Sequence, residues 1–136
     1  MRVEKVLVPL DGSACSKRAL AMAISLSQGK QITITGMHVI KIPMVFTNKT
    51  KKQARQNALK IVAAASTISK RANVSFKAKI SSDGYAGREI VQFAQDNRFD
   101  LIVMGSRGPH PIAEMFLGSV ANYVVTKSKI PVLIVK

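Results

Sequence analysis

The sequence predicts an α/β domain on an open, mainly parallel β-sheet, and three observations carry that expectation. Short apolar or β-branched runs alternate with segments of helical periodicity along the whole chain. Two of those runs end in glycine-containing turns, Asp11-Gly12 and Gly105-Ser106-Arg107-Gly108. At 136 residues, 47% of them hydrophobic, the chain can fill one core but not two. A helix must carry the chain back before each parallel strand, so this alternation implies a parallel sheet with right-handed crossovers.

Residues 3–10 read as a buried strand, because Val3, Val6, Leu7, Val8 and Leu10 form a near-continuous apolar run before the Asp-Gly turn. Ser13 can cap the helix that follows at 14–27, where Ala19, Leu20, Ala23, Ile24 and Leu26 recur at helical spacing and Gly29 supplies a stop. Residues 31–42 return to β-branched chemistry, with Gly36 marking a close backbone approach. A long helix is expected at 48–72, its Ala58, Ile61, Val62, Ala65 and Ile68 on one face and its lysines on the other. Residues 74–81 alternate apolar and polar, the pattern of a strand with one wetter face and hence of a sheet edge. A helix at 86–97, the strand 100–105, a helix at 113–126 that breaks near Gly118, and a last buried strand at 131–135 complete the chain. No repeat or linker interrupts it, so residues 1–136 read as one domain.

Composition narrows the setting. The longest apolar runs fall well short of the roughly 18 residues a spanning helix needs, and the charged N-terminus lacks the tripartite form of a secretory signal. Cys15 is the single cysteine, which excludes an internal disulfide and fits a reducing, cytoplasmic location. Net charge is +14, and between positions 12 and 82 there are thirteen Lys and Arg with no Asp or Glu. Such a field attracts anions as a class, whether nucleotides, nucleic acid or acidic membranes, without selecting one.

In an open parallel sheet ligands bind at the carboxyl ends of the strands, where the strand order reverses. That directs attention to the turns after the first and fourth strands. The second of these reads G-x2-G-x9-G-S, through Gly105, Gly108, Gly118 and Ser119. Glycines let a backbone approach phosphate oxygens, adopt positive φ and aim successive N–H groups at an anion. A helix starting at Gly118-Ser119 would turn its free N–H groups and positive dipole end toward the same phosphates. Ordinary turn glycines are the competing reading.

This spacing, with Val-Leu-Val-Pro-Leu-Asp-Gly-Ser, Met-His-Val-Ile, Asp-Leu-Ile-Val-Met-Gly-Ser-Arg-Gly, Gly-Ser-Val-Ala-Asn-Tyr-Val-Val and Ile-Pro-Val-Leu-Ile-Val, resembles the universal stress protein family over nearly the whole chain. The resemblance implies a Rossmann-like sheet in the order 3-2-1-4-5 with helices on both faces. It also implies the ATP-binding branch, in which the glycine motif is intact. Carried over by position, Gly105, Gly108, Gly118, Ser119 and Val120 contact phosphates and ribose, and Val39 recognises adenine through its backbone. Pro9 and Met104 line the pocket, and Asp11 lies near the nucleotide.

Asp11 has two possible tasks: hydrogen bonding to the nucleotide, or holding Mg²⁺ against the phosphates. A turn or cap role competes with both. Arg107, between two loop glycines, is a secondary candidate for neutralising phosphate charge, while His38 reads as structural. Pro109-His110-Pro111 and Glu114 depart from common family members by stiffening the loop, removing two N–H donors and adding a negative charge. There is no G-x4-G-K-[S/T] pattern and no Ser-Gly-Gly-x-Asp-Ser loop, and few groups near the loop could activate water. The reading that follows is a nucleotide-binding switch or sensor of the stress response. Alternatives are a basic module docking nucleic acid through positions 41 to 79, and a slow ATPase. The apolar strand at 130–135, expected at a sheet edge, implies a homodimer paired along it.

Overall fold

The computed structural model describes residues 1–41, 47–82, 84–109 and 117–136. Among the described residues five strands and four helices alternate in the order β1 (Lys5–Pro9), α1 (Ala14–Ser27), β2 (Thr33–Val39), α2 (Asn48–Arg71), β3 (Ser75–Ser81), α3 (Ala86–Asp96), β4 (Leu101–Gly105), α4 (Ser119–Lys127) and β5 (Val132–Val135). They form one sheet in the order β3-β2-β1-β4-β5, with every neighbouring pair parallel. Central β1 is registered with Val6 beside Ile34 on one side and beside Leu101 on the other.

Alternation along the strands sends side chains into two apolar layers. On one face Val6, Val8, Leu10, Ile34 and Val103 pack with Ala19, Leu20, Ala23 and Ile24 of α1 and with Ala65 of α2. On the other, Leu7, Met37, Ile102 and Met104 meet Ile90 and Ala94 of α3 and Ala121 and Val124 of α4. A strand covered on both faces must be apolar at nearly every position, which is why β1 and β4 read as runs and β3, at the edge, as an alternation.

Local signals set the helix starts. Ser13 caps α1, its hydroxyl accepting the Ser16 N–H at 3.1 Å, and Thr47 forms a reciprocal capping box with Thr50 at the start of α2. Gly36 sits where β2 passes under two side chains: a Cβ there would lie 2.6 Å from Phe76 Cζ and 2.8 Å from Leu10 Cδ1. What approaches this glycine is therefore a pair of side chains and not another backbone.

Some boundaries move. The second strand is shorter than 31–42, since regular pairing with β1 and β3 spans Thr33–Val39, and position 42 lies outside the described residues. Of the helix expected at 113–126 with a break near Gly118, the described part is Ser119–Lys127, so the break falls where it was expected. Gly118 is extended, with φ −66° and ψ 165°, and its N–H donates to the Ser106 carbonyl at 2.7 Å. Residues 113–116 of that expectation lie outside the described part of the chain.

Asp100 ties the base of the sheet together by accepting the Glu4 and Lys5 N–H groups, each at 2.9 Å, on one carboxylate oxygen. Those two bonds, aided by the Lys5 charge and opposed by slight burial, hold its carboxyl below the usual value. A depressed folded pKa contributes stability above the unfolded pKa and loses it as pH falls through the folded one. Asp100→Asn should lower stability by about 1 kcal/mol at neutral pH. In urea titrations from pH 7 to 2.5 the gap from wild type should close toward the acid end; a constant gap would contradict the assignment.

Candidate functional site

The site lies at the carboxyl ends of β1 and β4, adjacent strands whose connections leave for opposite faces of the sheet. After β1 the chain turns through Asp11 and Gly12 into α1, and Gly12 takes φ +82°. Asp11 Oδ1 accepts the Ser13 N–H at 2.9 Å, closing a side-chain turn. Its Oδ2 faces the other loop, 3.4 Å from where a Cβ on Gly108 would be. One oxygen thus serves the turn, and the other fronts the cleft.

After β4 the chain runs through Ser106, Arg107 and Gly108, and the Gly118 N–H to Ser106 carbonyl bond pins the far end of the loop beside its start. Gly118 caps α4 with no side chain, so its N-cap residue offers the first-turn N–H groups no side-chain acceptor. The helix is held at this angle by α3. Tyr85 Oη donates to the Ser119 carbonyl at 3.2 Å, and the Tyr85 and Tyr123 rings meet edge to face at 5.2 Å. Gly87 allows the approach, since a Cβ there would be 2.7 Å from Tyr123.

A cleft of about 620 Å³ opens between these two turns. All ten residues singled out from the sequence line it: Pro9, Asp11, Val39, Met104, Gly105, Arg107, Gly108, Gly118, Ser119 and Val120. Pro9, Val39 and Met104 come from the ends of three strands, and Ser119 and Val120 open α4. The volume and the mix of apolar wall with backbone donors suit a small polar ligand with a flat apolar end.

The glycines do not all act as expected. None of Gly105, Gly108 and Gly118 has positive φ; Gly12, Gly29 and Gly84 do. Gly105 is required by packing, because a Cβ would lie 2.9 Å from the Cys15 carbonyl carbon in the first turn of α1. At Gly108 and Gly118 an added Cβ would make only ordinary contacts, none nearer than 3.4 Å.

Other lining residues carry no sequence signal of their own. Ala54 and Asn57 form part of the wall only because α2 crosses beta-strand ends at its N-terminal half, which periodicity does not reveal. Lys41 lies at the mouth just past β2, and its place at a strand end was the one available hint. His38 also faces the cleft, but its Nδ1 is 2.7 Å from the Leu10 carbonyl, so this ring nitrogen donates to the backbone, in keeping with a structural role. His110, Pro111 and Glu114 lie outside the described residues.

Behind the loop, Cys15 is buried, with Sγ donating to the Val135 carbonyl at 3.3 Å and 3.6 Å from Ser106 Oγ. Burial pushes its thiol up, but the Ser106 hydroxyl, the Arg107 and Ser106 backbones and the Arg18 charge together outweigh it and leave it below the usual value. Among the described residues no group of three or more His, Cys, Asp or Glu could hold a metal ion, and no helix is long and apolar enough to cross a membrane.

Comparison with known proteins agrees with this fold. A family model described as "Universal stress protein family" matches residues 2–136. The universal stress protein YxiE of Bacillus subtilis is 32% identical, over 97% of this chain and 98% of its own. The solved structure of MJ0577, from Methanocaldococcus jannaschii, superposes with a TM-score of 0.91 at 30% identity, covering 100% of this chain and 97% of that one. A universal stress protein solved in complex with cAMP has a TM-score of 0.77 at 26% identity, covering 99% and 98%.

Proposed function

The chain belongs to the universal stress protein family, and from that premise we propose that residues 1–136 form one adenine-nucleotide-binding domain whose resident ligand is ATP. The observation that carries the reading is the convergence of all ten candidate residues on one cleft at the strand-order reversal. A relative that binds cAMP supports the adenine-nucleotide class.

Adenine would lie against Pro9, Val39 and Met104, recognised through the Val39 backbone. The phosphates would lie over Gly105 to Gly108 and the start of α4, where uncapped N–H groups and the helix dipole favour negative charge. Arg107 would add a cation to that end. Asp11 would bond the ribose or adenine, or supply one oxygen to Mg²⁺. With Oδ1 engaged by Ser13, a single oxygen remains, which fits Mg²⁺ only if phosphates and water complete its octahedron.

Asp11 is the one carboxylate among the described cleft residues, and if its free Oδ2 bonds the nucleotide or Mg²⁺ as proposed, no second carboxylate there is left to activate water. A switch or sensor that changes state with nucleotide occupancy fits better than a hydrolase. As a cytoplasmic protein, it would work as a homodimer. β5 closes one sheet edge with Val132, Leu133, Ile134 and Val135 all half-buried, and pairing two such edges removes apolar surface and unpaired backbone from water.

The test is calorimetric titration of ATP, ADP and AMP, each with Mg²⁺, into protein stripped of bound nucleotide, with the released ligand identified by mass. Wild type should bind ATP, and Gly118→Val should lose binding at least tenfold while melting as a folded protein. Valine suits φ −66°, but its methyl groups would crowd Arg107 Cα and the Ser106 carbonyl, both 3.5 Å from its Cβ. Neither co-purified nucleotide nor measurable binding in wild type would overturn the reading.

A further inference from the structure

The two helical layers differ sharply in charge. α1 and α2, which cover one face of the sheet, carry Lys17, Arg18, Lys49, Lys51, Lys52, Arg55, Lys60, Lys70 and Arg71 and no acidic residue. α3 and α4, on the other face, balance Arg88 and Lys127 against Glu89 and Asp96. α1 and α2 therefore supply +9 of the net charge of +14.

Within α2 the cations are ordered. Lys49, Lys60 and Arg71 recur every eleven residues, three helical turns plus about 20°, so they form one row along the outer face. All three are exposed, and Lys52 and Lys70, also exposed, flank the row. At 1.5 Å per residue the row is about 33 Å long, close to the roughly 34 Å repeat of a B-form duplex. The exposed residues between its cations include Gln53, Gln56, Ala63, Ala64 and Thr67, which are small or able to hydrogen bond.

From this arrangement we infer that the α1/α2 face docks on double-stranded nucleic acid through its phosphate backbone, without reading sequence. The alternatives fit less well. A single strand needs aromatic platforms for its bases, and neither α1 nor α2 has an aromatic residue. An acidic membrane favours an apolar stripe that enters the interface. The exposed Leu59 and Ile68 are nine residues apart on opposite flanks of α2, and the exposed Met22 and Leu26 of α1 span a single turn, too short for such a stripe. This surface goes beyond the nucleotide reading and uses different residues, so either can fail alone.

The experiment is fluorescence anisotropy of labelled 20-base-pair DNA and RNA duplexes with the full chain, from 50 to 200 mM KCl. Wild type should bind, with affinity falling steeply and linearly on logarithmic axes as counterions are released. Lys49→Gln/Lys60→Gln/Arg71→Gln should weaken binding at least tenfold at 50 mM KCl and flatten the salt slope by about 2 to 3. Lys49→Arg/Lys60→Arg should bind as wild type. The control Arg88→Gln/Lys127→Gln/Lys129→Gln removes the same charge elsewhere and should change affinity less than twofold. Amine labelling supplies a check that needs no variant, since duplex should protect Lys49 and Lys60 but not Lys127. Absence of a complex at 50 mM KCl, equal losses in the two glutamine triples, or binding to phosphatidylserine vesicles without binding to duplex would each overturn the inference.

Discussion

Gly105→Val is expected to cost about 3 kcal/mol of folding stability, whereas Gly108→Ala and Gly118→Ala should each stay within about 1 kcal/mol of wild type. The three glycines belong to one motif, but their surroundings differ. A Cβ at Gly105 would lie 2.9 Å from the Cys15 carbonyl carbon, 3.0 Å from its Cβ and 3.1 Å from its carbonyl oxygen. Two of those atoms are backbone in the first turn of α1, which cannot yield without moving the helix. The helix is itself held by the Ser13 cap and by Ala19, Leu20 and Ala23 in the core. Moving the strand instead would disturb the Gly105 to Val135 register and the neighbouring Ser106 N–H to Val135 carbonyl bond, 2.8 Å long. At Gly108 and Gly118 an added methyl makes ordinary contacts at 3.4 to 3.6 Å. Urea titrations of the three variants, with slopes compared to confirm two-state unfolding, give the answer directly. A Gly105→Val protein as stable as wild type would mean that the close contact at α1 relaxes at no cost.

That contrast marks where sequence reasoning stopped. The spacing of Gly105, Gly108 and Gly118 identified the loop, but not which glycine serves packing and which border the cleft. The difference arises from how closely α1 crosses the end of β4, a tertiary distance with no counterpart in the local pattern. Strand identities were legible because β1 and β4 are buried on both faces and must be apolar throughout, while β3, with one wetter face, alternates. The start of α4 was legible as a break near Gly118, but not what holds it, because the apolar periodicity of Ala121 and Val124 says nothing of the Gly118 N–H turning to the Ser106 carbonyl. The two cleft turns were found from topology, whereas Val39 and Met104 at strand ends came from the family resemblance. Ala54 and Asn57 were missed because a helix docking angle places them there.

Gly108→Asp should abolish nucleotide binding while leaving the fold intact, with a loss of at least about 100-fold, or roughly 2.7 kcal/mol. The position has room: the nearest atom to its Cβ is Asp11 Oδ2 at 3.4 Å, and its backbone lies outside the positive-φ region. Aspartate would set a second carboxylate against Asp11 and over the proposed phosphate seat, where like charges repel each other and the ligand together. The unliganded protein can relieve that repulsion by taking up a proton or turning the new side chain outward to water. A bound triphosphate removes both escapes, so the penalty falls on binding rather than on folding. Gly108→Asn is nearly isosteric and uncharged, and should retain affinity to within about tenfold, separating charge from bulk. If the aspartate variant bound ATP as tightly as wild type in calorimetric titration, the phosphates would have to lie elsewhere, and the cleft would have to be turned end for end.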